Sequence, residues 1–147
     1  MIKNNLFIFD FNRTLFDPKT NRLMPGCLNV LRKIKKNKGN KILISQAMPG
    51  RIKLISKLGL IKYFTKVYIT HEKSKKLMSK IINKFSARNC YVIGDRIKKE
   101  IKLGNQLGCT TIWLKLGLFS SELPADKTEQ PDYIITELEQ LLNILKE

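Results

Sequence analysis

The stretch FIFDFNRTLFD, residues 7–17, places one carboxylate, Asp10, directly after a short run of apolar and aromatic side chains. A run of this kind, which starts at Asn5, is typical of a strand that is buried on both faces of a parallel sheet. Two residues later stands Asn12, an amide at the place where a second carboxylate would complete a catalytic pair. We therefore predict a strand at residues 5–10 that brings a single acid to its carboxyl end.

Apolar runs and helical patterns alternate along the rest of the chain. The further predicted strands are residues 41–45, 66–70, 90–95 and 109–114, with a short edge strand as an alternative at 132–136. Two predicted helices start at Pro25–Gly26 and at Pro49–Gly50, where proline and glycine punctuate the pattern, and three others cover residues 74–85, 97–107 and 137–146. The first helix is predicted to be broken by residues 37–40. The predicted inward faces of four of the helices carry Leu28, Leu31 and Ile34; Ile52, Ile55 and Leu58; Leu77, Met78, Ile81 and Ile82; and Leu138, Leu141, Leu142 and Leu145.

This order of elements predicts an α/β fold. Buried strands that are each followed by a crossover helix form a parallel sheet with helices on both faces. We expect a three-layer α/β/α sandwich around a central, mainly parallel five-stranded sheet. The length of 147 residues suits a single domain covering residues 1–147.

The cysteine and histidine content excludes several classes of protein. Cys27, Cys90 and Cys109 are scattered and odd in number, and His71 is the only histidine. A disulfide framework and a structural zinc site are therefore not expected. The polar start MIKNN lacks the pattern of a secretory signal, and no apolar run is as long as a membrane span. We expect a soluble protein of the reducing cytoplasm that makes no contact with membranes.

The charge is strongly positive and unevenly distributed. Lys and Arg number 28 against 12 Asp and Glu, which gives a formal net charge of +16. Between Pro18 and Gly94 there are 19 basic residues and one acid, Glu72, whereas residues 120–147 hold two lysines and seven acids. A basic body attracts phosphate-rich partners, nucleic acid included. The abundance of Lys, Asn and Ile fits an AT-rich coding sequence equally well, and no nucleic-acid-binding motif is present.

Chemically useful side chains stand where the predicted strands end. Asp10, Ser45 and Asp95 end three strands, Lys73 follows a fourth, and Glu100 lies five residues beyond Asp95. Because parallel strands present their carboxyl ends at one edge, these groups are expected to share a crevice. Three carboxylates in one crevice need a cation, and a hard ion such as Mg²⁺ suits oxygen ligands. The metal and the ammonium could then hold a phosphoryl group while one carboxylate attacks it.

These residues resemble the motifs of the haloacid dehalogenase superfamily of phosphohydrolases. The first motif, Asp-x-Asp-x-Thr, is similar to DFNRT, and the Ser that ends the second strand is present in ILIS. The family's Lys before a helix is present in HEKSKKLM, and its Gly-Asp with a following acid is present in GDRIKKE. The segments IKLGNQLGCTTIWL and PDYIITELEQLL extend the resemblance over essentially the whole chain. The resemblance implies a Rossmann-like core.

The resemblance also implies roles. Asp10 is the expected nucleophile, which forms an aspartyl-phosphate, and Lys73 neutralises charge beside it. Thr14 and Ser45 are expected to bind the phosphoryl oxygens of the substrate or to orient the nucleophile. The expected Mg²⁺ ligands are Asp10, Asp95, Glu100 and the backbone carbonyl of Asn12. Lys75 is a weaker alternative to Lys73, and His71 is expected to be a loop residue.

Two positions depart from the family pattern. Asn12 stands where relatives carry the acid that protonates the leaving group and then activates water, and an amide cannot exchange a proton in that way. General acid–base catalysis contributes roughly 10²–10⁴ in rate, or about 3–5 kcal/mol of barrier. We therefore expect slow turnover, a long-lived phospho-enzyme or a substrate with a good leaving group. Arg13 stands where relatives often carry Gly, and its guanidinium could either bind an anionic substrate or lie in solvent.

The spacing of the motifs predicts that the domain has no cap. Asp10 and Ser45 are 35 residues apart, and Ser45 and Lys73 are 28 apart, which leaves room for one or two helices and a loop. The resemblance places cap insertions in these gaps, so we expect no sizeable cap and an open site. Such a site would admit a large phosphorylated substrate, nucleic-acid ends included, or would be closed by oligomerisation.

The sequence thus supports a Mg²⁺-dependent phosphatase or phosphotransferase, a phosphoric monoester hydrolase that acts through Asp10 and is slowed by Asn12. The alternative is a catalytically degenerate relative that binds a phosphorylated ligand, a partner or nucleic acid. A basic nucleic-acid-binding protein on the same scaffold is a third reading. A dehalogenase is disfavoured, because those relatives use a cap to exclude water.

Overall fold

A six-stranded parallel sheet forms the centre of the protein. The computed structural model describes residues 4–34 and 38–145. The order of strands in the central sheet is β5-β4-β1-β6-β7-β8, and a separate pair of short strands, β2 and β3, is antiparallel. The strands are β1 (Asn5–Asp10), β2 (Phe16–Asp17), β3 (Arg22–Leu23), β4 (Asn40–Gln46), β5 (Lys66–Thr70), β6 (Asn89–Gly94), β7 (Thr110–Leu114) and β8 (Tyr133–Ile135).

Helices cover both faces of the sheet. They are α1 (Cys27–Lys33), α2 (Arg51–Lys57), α3 (Lys75–Lys84), α4 (Lys102–Gln106) and α5 (Leu141–Ile144), with a π-helical turn (Ile97–Ile101) leading into α4. Because successive strand residues point to opposite faces, Phe7 and Phe9 of β1 pack against α1, α2 and α5, whereas Leu6 and Ile8 pack on the side of α3 and α4. The predicted three-layer α/β/α sandwich is confirmed.

The register of the three central strands brings the candidate residues side by side. Asp10 pairs with Ile44 of β4, one residue before Ser45, and Phe9 pairs with Ile93 of β6, two residues before Asp95. The carboxyl ends of β4, β1 and β6 therefore place Ser45, Asp10 and Asp95 next to one another at one edge of the sheet.

The structure corrects several details of the expected fold. The sheet has six strands and not five, because Tyr133–Ile135 pairs with Ile112–Leu114 along the edge of β7. Ile52 is 51% exposed and does not face the core, because Arg51 takes the buried position at the start of α2. The last helix begins as a 3₁₀ turn (Leu138–Gln140), and its predicted end at Lys146 lies outside the described residues. The predicted break after the first helix also begins outside them, at Asn37.

The connections on either side of β4 are short. Between β1 and β4 the described residues form the β2–β3 pair and α1, and between β4 and β5 they form α2 and a 3₁₀ turn (Ile61–Tyr63). No helix among the described residues is long and apolar enough to cross a membrane.

Candidate active site

Asp10 is buried at the end of β1 and is held from two sides. Its side chain receives hydrogen bonds from Lys73 Nζ at Oδ1 and from Thr14 Oγ1 at Oδ2, the latter at 3.3 Å. A tight turn follows the strand, because the amides of Thr14, Leu15 and Phe16 all donate to the carbonyl of Phe11. The turn carries Thr14, which is fully buried, back beneath the Asp10 carboxylate.

Lys73 links two carboxylates across the cleft. It lies between β5 and α3, and its ammonium also donates to Glu100 Oε1 at 3.4 Å. Burial by itself lowers the pKa of Lys73, but the charges of Asp10 and Glu100 outweigh it and raise that pKa above its ordinary value. The side chain is therefore a permanent cation at the floor of the cleft. Ser74 begins α3 by accepting a hydrogen bond from the Leu77 amide, which fixes the backbone beside Lys73.

Asp10, Asp95 and Glu100 form a compact acidic cluster, in which one carboxylate oxygen from each lies within 4.8 Å of the others. Burial and the charge of Asp10 raise the pKa of Asp95 to about 7 and that of Glu100 to about 8. Asp95 Oδ1 and Glu100 Oε2 are buried and have no hydrogen-bond partner among the described residues. Negative charge and free lone pairs that are shielded from water are what a divalent cation requires.

Glycine and tryptophan hold the backbone of this cluster in place. A Cβ on Gly94 would lie 3.0 Å from both Cγ and Oε2 of Glu100, so only glycine lets this carboxylate approach β6. The indole nitrogen of Trp113 donates to the Asp95 carbonyl at 2.8 Å. This contact ties the end of β6 to β7.

Arg13 lies on the acidic cluster. Its backbone is left-handed, with φ of 61°, a conformation that glycine adopts without strain and that agrees with the glycine expected there from the resemblance. Its Nε donates to Asp95 Oδ2 at 2.9 Å, and its guanidinium lies 4.8 Å from the centre of the Phe119 ring. Arg96 stacks on the same ring at 3.9 Å. Arg13 thus interacts with a carboxylate and an aromatic ring, and 27% of its side chain is exposed.

Asn12 contacts a residue that the sequence patterns did not single out. Its Oδ1 accepts a hydrogen bond from Arg51 Nη1 at 3.4 Å. The Arg51 guanidinium is buried, lies 4.8 Å from the centre of the Phe11 ring and donates to Met48 Sδ at 2.9 Å. This contact orients the Asn12 amide, whose NH₂ group has no hydrogen-bond partner among the described residues.

The remaining predicted residues line a cleft with a volume of about 340 Å³ above the cluster. Ser45 is buried at the end of β4, but its hydroxyl donates to the carbonyl of Gln46 at 3.3 Å and not to Asp10. His71 is an exposed loop residue on the rim. A larger cleft of about 510 Å³ lies elsewhere and contains none of these carboxylates.

Sequence reasoning missed three residues that shape the site. Arg51 is hidden at a helix start among many other basic residues, and Phe119 and Glu122 lie in the loop after β7. Glu122 accepts from Arg96 Nη2 at 2.9 Å and from the Ile97 amide at 3.1 Å, and it thereby joins this loop to the segment that carries Glu100. No local pattern marks these positions, because their contacts are distant in sequence: Arg51 contacts a residue 39 positions away, and Glu122 contacts residues 25 and 26 positions away.

Comparison with known proteins finds sequences that are similar to this chain. The sequence profile of the HAD-hydrolase-like family matches residues 72–141. A glyceraldehyde 3-phosphate phosphatase of Pyrococcus furiosus is 29% identical over 133 residues, which cover 85% of this chain and 55% of that protein. The chain therefore spans about half the length of this curated relative.

Solved structures show the same fold. A haloacid dehalogenase-like protein of Burkholderia xenovorans superposes with a TM-score of 0.81 at 14% identity, covering 97% of this chain and 96% of the other. The HAD-like protein YfnB of Bacillus subtilis, whose structure contains magnesium, superposes with a TM-score of 0.70 at 21% identity, covering 85% and 57%. The matched profile and the phosphatase relative agree with the motif order at the strand ends: the chain is similar in sequence to HAD-like hydrolases and shares the fold of the haloacid dehalogenase-like structures.

Proposed function

We propose that this protein is a Mg²⁺-dependent phosphatase that hydrolyses phosphoric monoesters through an aspartyl-phosphate on Asp10. One observation carries the proposal: Asp10 is held between Lys73 and Thr14, with Asp95 and Glu100 beside it. A carboxylate fixed at both oxygens has little rotational freedom, which favours attack in one direction. The phosphatase named among the relatives supports the same reaction class.

Each of the surrounding side chains has a role in this proposal. Lys73 compensates the negative charge that builds up when the anionic carboxylate and the phosphoryl group approach each other. Thr14 holds the second oxygen of Asp10, so that Oδ1 is presented to the substrate. Ser45, which bonds only to a neighbouring carbonyl, has a hydroxyl beside the cleft that can turn towards a phosphoryl oxygen.

The acidic cluster fits a magnesium ion. The two partnerless buried oxygens, on Asp95 and Glu100, are hard ligands of the type that Mg²⁺ prefers. Asp10 and the backbone carbonyl of Asn12 complete the proposed set, which follows the family pattern. The ion would supply charge neutralisation at the phosphoryl oxygens.

Asn12 limits what the site can do after the first step. An amide whose Oδ1 accepts from Arg51 can donate a hydrogen bond to a leaving-group oxygen, but it has no acidic proton to transfer. We propose that leaving groups that depart as stable anions, such as acyl or aryl oxygens, are favoured. If turnover is absent, the alternative is a protein that binds a phosphorylated ligand in this cleft.

We also propose that the site is open. The connections on either side of β4 contain a strand pair and short helices, with no inserted domain among the described residues.

The free, buried cysteines fit the reducing cytoplasm that the sequence predicts. Small phosphorylated molecules are the proposed substrates.

The test is hydrolysis of an aryl phosphate with Mg²⁺ by wild type and by Asp10→Asn. The carboxylate nucleophile is lost in this variant, so we expect its activity to fall to background. Acid quenching should trap phosphate on wild type and not on Asp10→Asn. Equal activity of the two proteins would refute the assignment of Asp10 as the nucleophile. If wild type hydrolyses neither aryl nor acyl phosphates, the proposal that the protein is a phosphatase is refuted.

A further inference from the structure

One wall of the active-site cleft carries uncompensated positive charge. Lys98, Lys99 and Lys102 all line the cleft on the segment that begins three residues after Asp95. Lys98 Nζ lies 2.7 Å from Glu129 Oε1, and Lys102 Nζ lies 3.6 Å from Glu129 Oε2. Lys98 and Lys102 thus share one carboxylate and Lys99 pairs with none, so the three ammonium groups leave two positive charges uncompensated.

Lys99 is the most available of the three. It is exposed, lines the cleft and has no carboxylate partner within the described ranges 4–34 and 38–145. Glu129 is buried and is also fixed by the Ala125 amide at 3.0 Å, so it is not free to move to Lys99. The charge on Lys99 is therefore open to a ligand.

The positive charges of the two arginines that line the cleft are already paired with carboxylates. Arg96 is bonded to Glu122 at 2.9 Å, and Arg13 is bonded to Asp95 at 2.9 Å. The floor of the cleft is acidic, because Lys73 alone lies between Asp10 and Glu100. The cleft therefore has one place for a phosphoryl group at the floor and a separate cationic wall.

We propose that the preferred substrate is a small phosphate monoester that carries a second anionic group, a carboxylate or a phosphate, which binds Lys99 and Lys102 on this wall. The inference rests on the proposed function, since it uses the phosphoryl position at Asp10. The cleft volume of about 340 Å³ suits a molecule of a few carbon atoms that spans floor and wall. A monoester with a neutral tail leaves the wall without a counter-charge.

Two matched compounds test the proposal. 3-Phosphoglycerate and glycerol 3-phosphate share a three-carbon skeleton and differ in a carboxylate against a hydroxymethyl group. We expect wild type to favour 3-phosphoglycerate in kcat/KM by roughly three- to tenfold at low salt, which is what one or two partly exposed ion pairs contribute. Added salt should reduce this preference, because exposed charges are screened.

Variants of the wall locate the effect. Lys99→Gln and the double variant Lys99→Gln/Lys102→Gln should lower the preference stepwise towards one, whereas Lys99→Arg should keep most of it. Lys76→Gln removes the same charge from an exposed position on α3 outside the cleft and serves as the control, with the wild-type preference expected. An unchanged preference in the double variant would overturn the inference.

Binding separates this inference from the proposed phosphatase activity. Trp113, the only tryptophan, donates to the Asp95 carbonyl, so its fluorescence can report ligand binding in the presence of MgCl₂. A tighter dissociation constant for 3-phosphoglycerate that is lost in the double variant supports the anionic wall even if no phosphate is released. Equal dissociation constants, measured by fluorescence and checked by calorimetry, would refute it even if both compounds are hydrolysed.

Discussion

Substituting Asn12 by Asp is expected to restore little activity while Arg51 is present. The simple view is that a carboxylate at position 12 supplies the missing proton donor, which contributes roughly 10²–10⁴ in rate. In the structure, however, the side-chain oxygen of Asn12 lies 3.4 Å from Arg51 Nη1, and the guanidinium is buried against Phe11. A carboxylate at this place would be ion-paired.

The size of the effect follows from this distance. Two unit charges 3.4 Å apart attract by about 5 kcal/mol at an effective dielectric constant of 20. Repulsion from Asp10 offsets part of that attraction, and an arginine neighbour typically lowers a carboxyl pKa by about 1–3 units. The carboxylate of the Asn12→Asp variant would thus stay ionised near neutral pH, without the proton that the leaving group needs.

The assay is steady-state hydrolysis of an alkyl phosphate, whose leaving group needs protonation, with the Asn12→Asp and Arg51→Gln single variants and the double variant. We expect less than a tenfold gain for Asn12→Asp alone and a gain of roughly 10²–10⁴ over Arg51→Gln when both changes are combined. An aryl phosphate, which needs no acid, should show little difference between the variants. A gain of a hundredfold or more from Asn12→Asp alone would refute the reasoning about Arg51.

Three further predictions concern the floor of the cleft. Lys73→Gln removes the charge that balances Asp10 and Glu100, so kcat/KM should fall by roughly 10²-fold or more in the same hydrolysis assay, with Lys75→Gln as the control. In EDTA, Tm should fall by about 5 °C or more as the pH rises from 5 to 8. The folded protein raises the pKa of Asp95 to about 7 and that of Glu100 to about 8. Both groups therefore keep protons that the unfolded chain releases near pH 4, and this stabilisation is lost as the pH rises. Mg²⁺ and the Glu100→Gln substitution should each reduce this dependence of Tm on pH. If neither changes it, the pH dependence does not come from the acidic cluster. In the Gly94→Ala variant the added Cβ would lie 3.0 Å from Glu100. We expect weaker Mg²⁺ binding in calorimetric titration and a free energy of unfolding in urea that is lower by about 1–3 kcal/mol. Mg²⁺ affinity equal to that of wild type would show that Glu100 tolerates the displacement.

Much of the fold could be predicted because its strands are marked by short, local sequence patterns. Strands β1, β4, β5, β6 and β7 are apolar runs bounded by turn residues, and their predicted bounds agree with the structure to within one residue at each end. The sequence predicts the sixth strand only as an alternative, because three residues at a sheet edge carry little pattern and their strand character comes from pairing with β7. Helical periodicity predicts that Ile52 faces the core, but Arg51 occupies the buried position. That choice depends on what lies opposite, which periodicity cannot report.

The order of strands and motifs along the chain is sufficient to predict which chemical groups meet. Asp10, Ser45 and Asp95 each end a strand, and parallel strands must present their ends together, so order along the chain was enough to bring them to one edge. The residues that contact those groups depend on tertiary packing, which the sequence pattern does not report. Arg51 reaches Asn12 across 39 residues and Arg13 reaches Asp95 across 82, and such contacts are set by where helices and loops pack. The strand ends fix the positions of the chemical groups, and packing fixes the charges around them, on which their protonation and the choice of substrate depend.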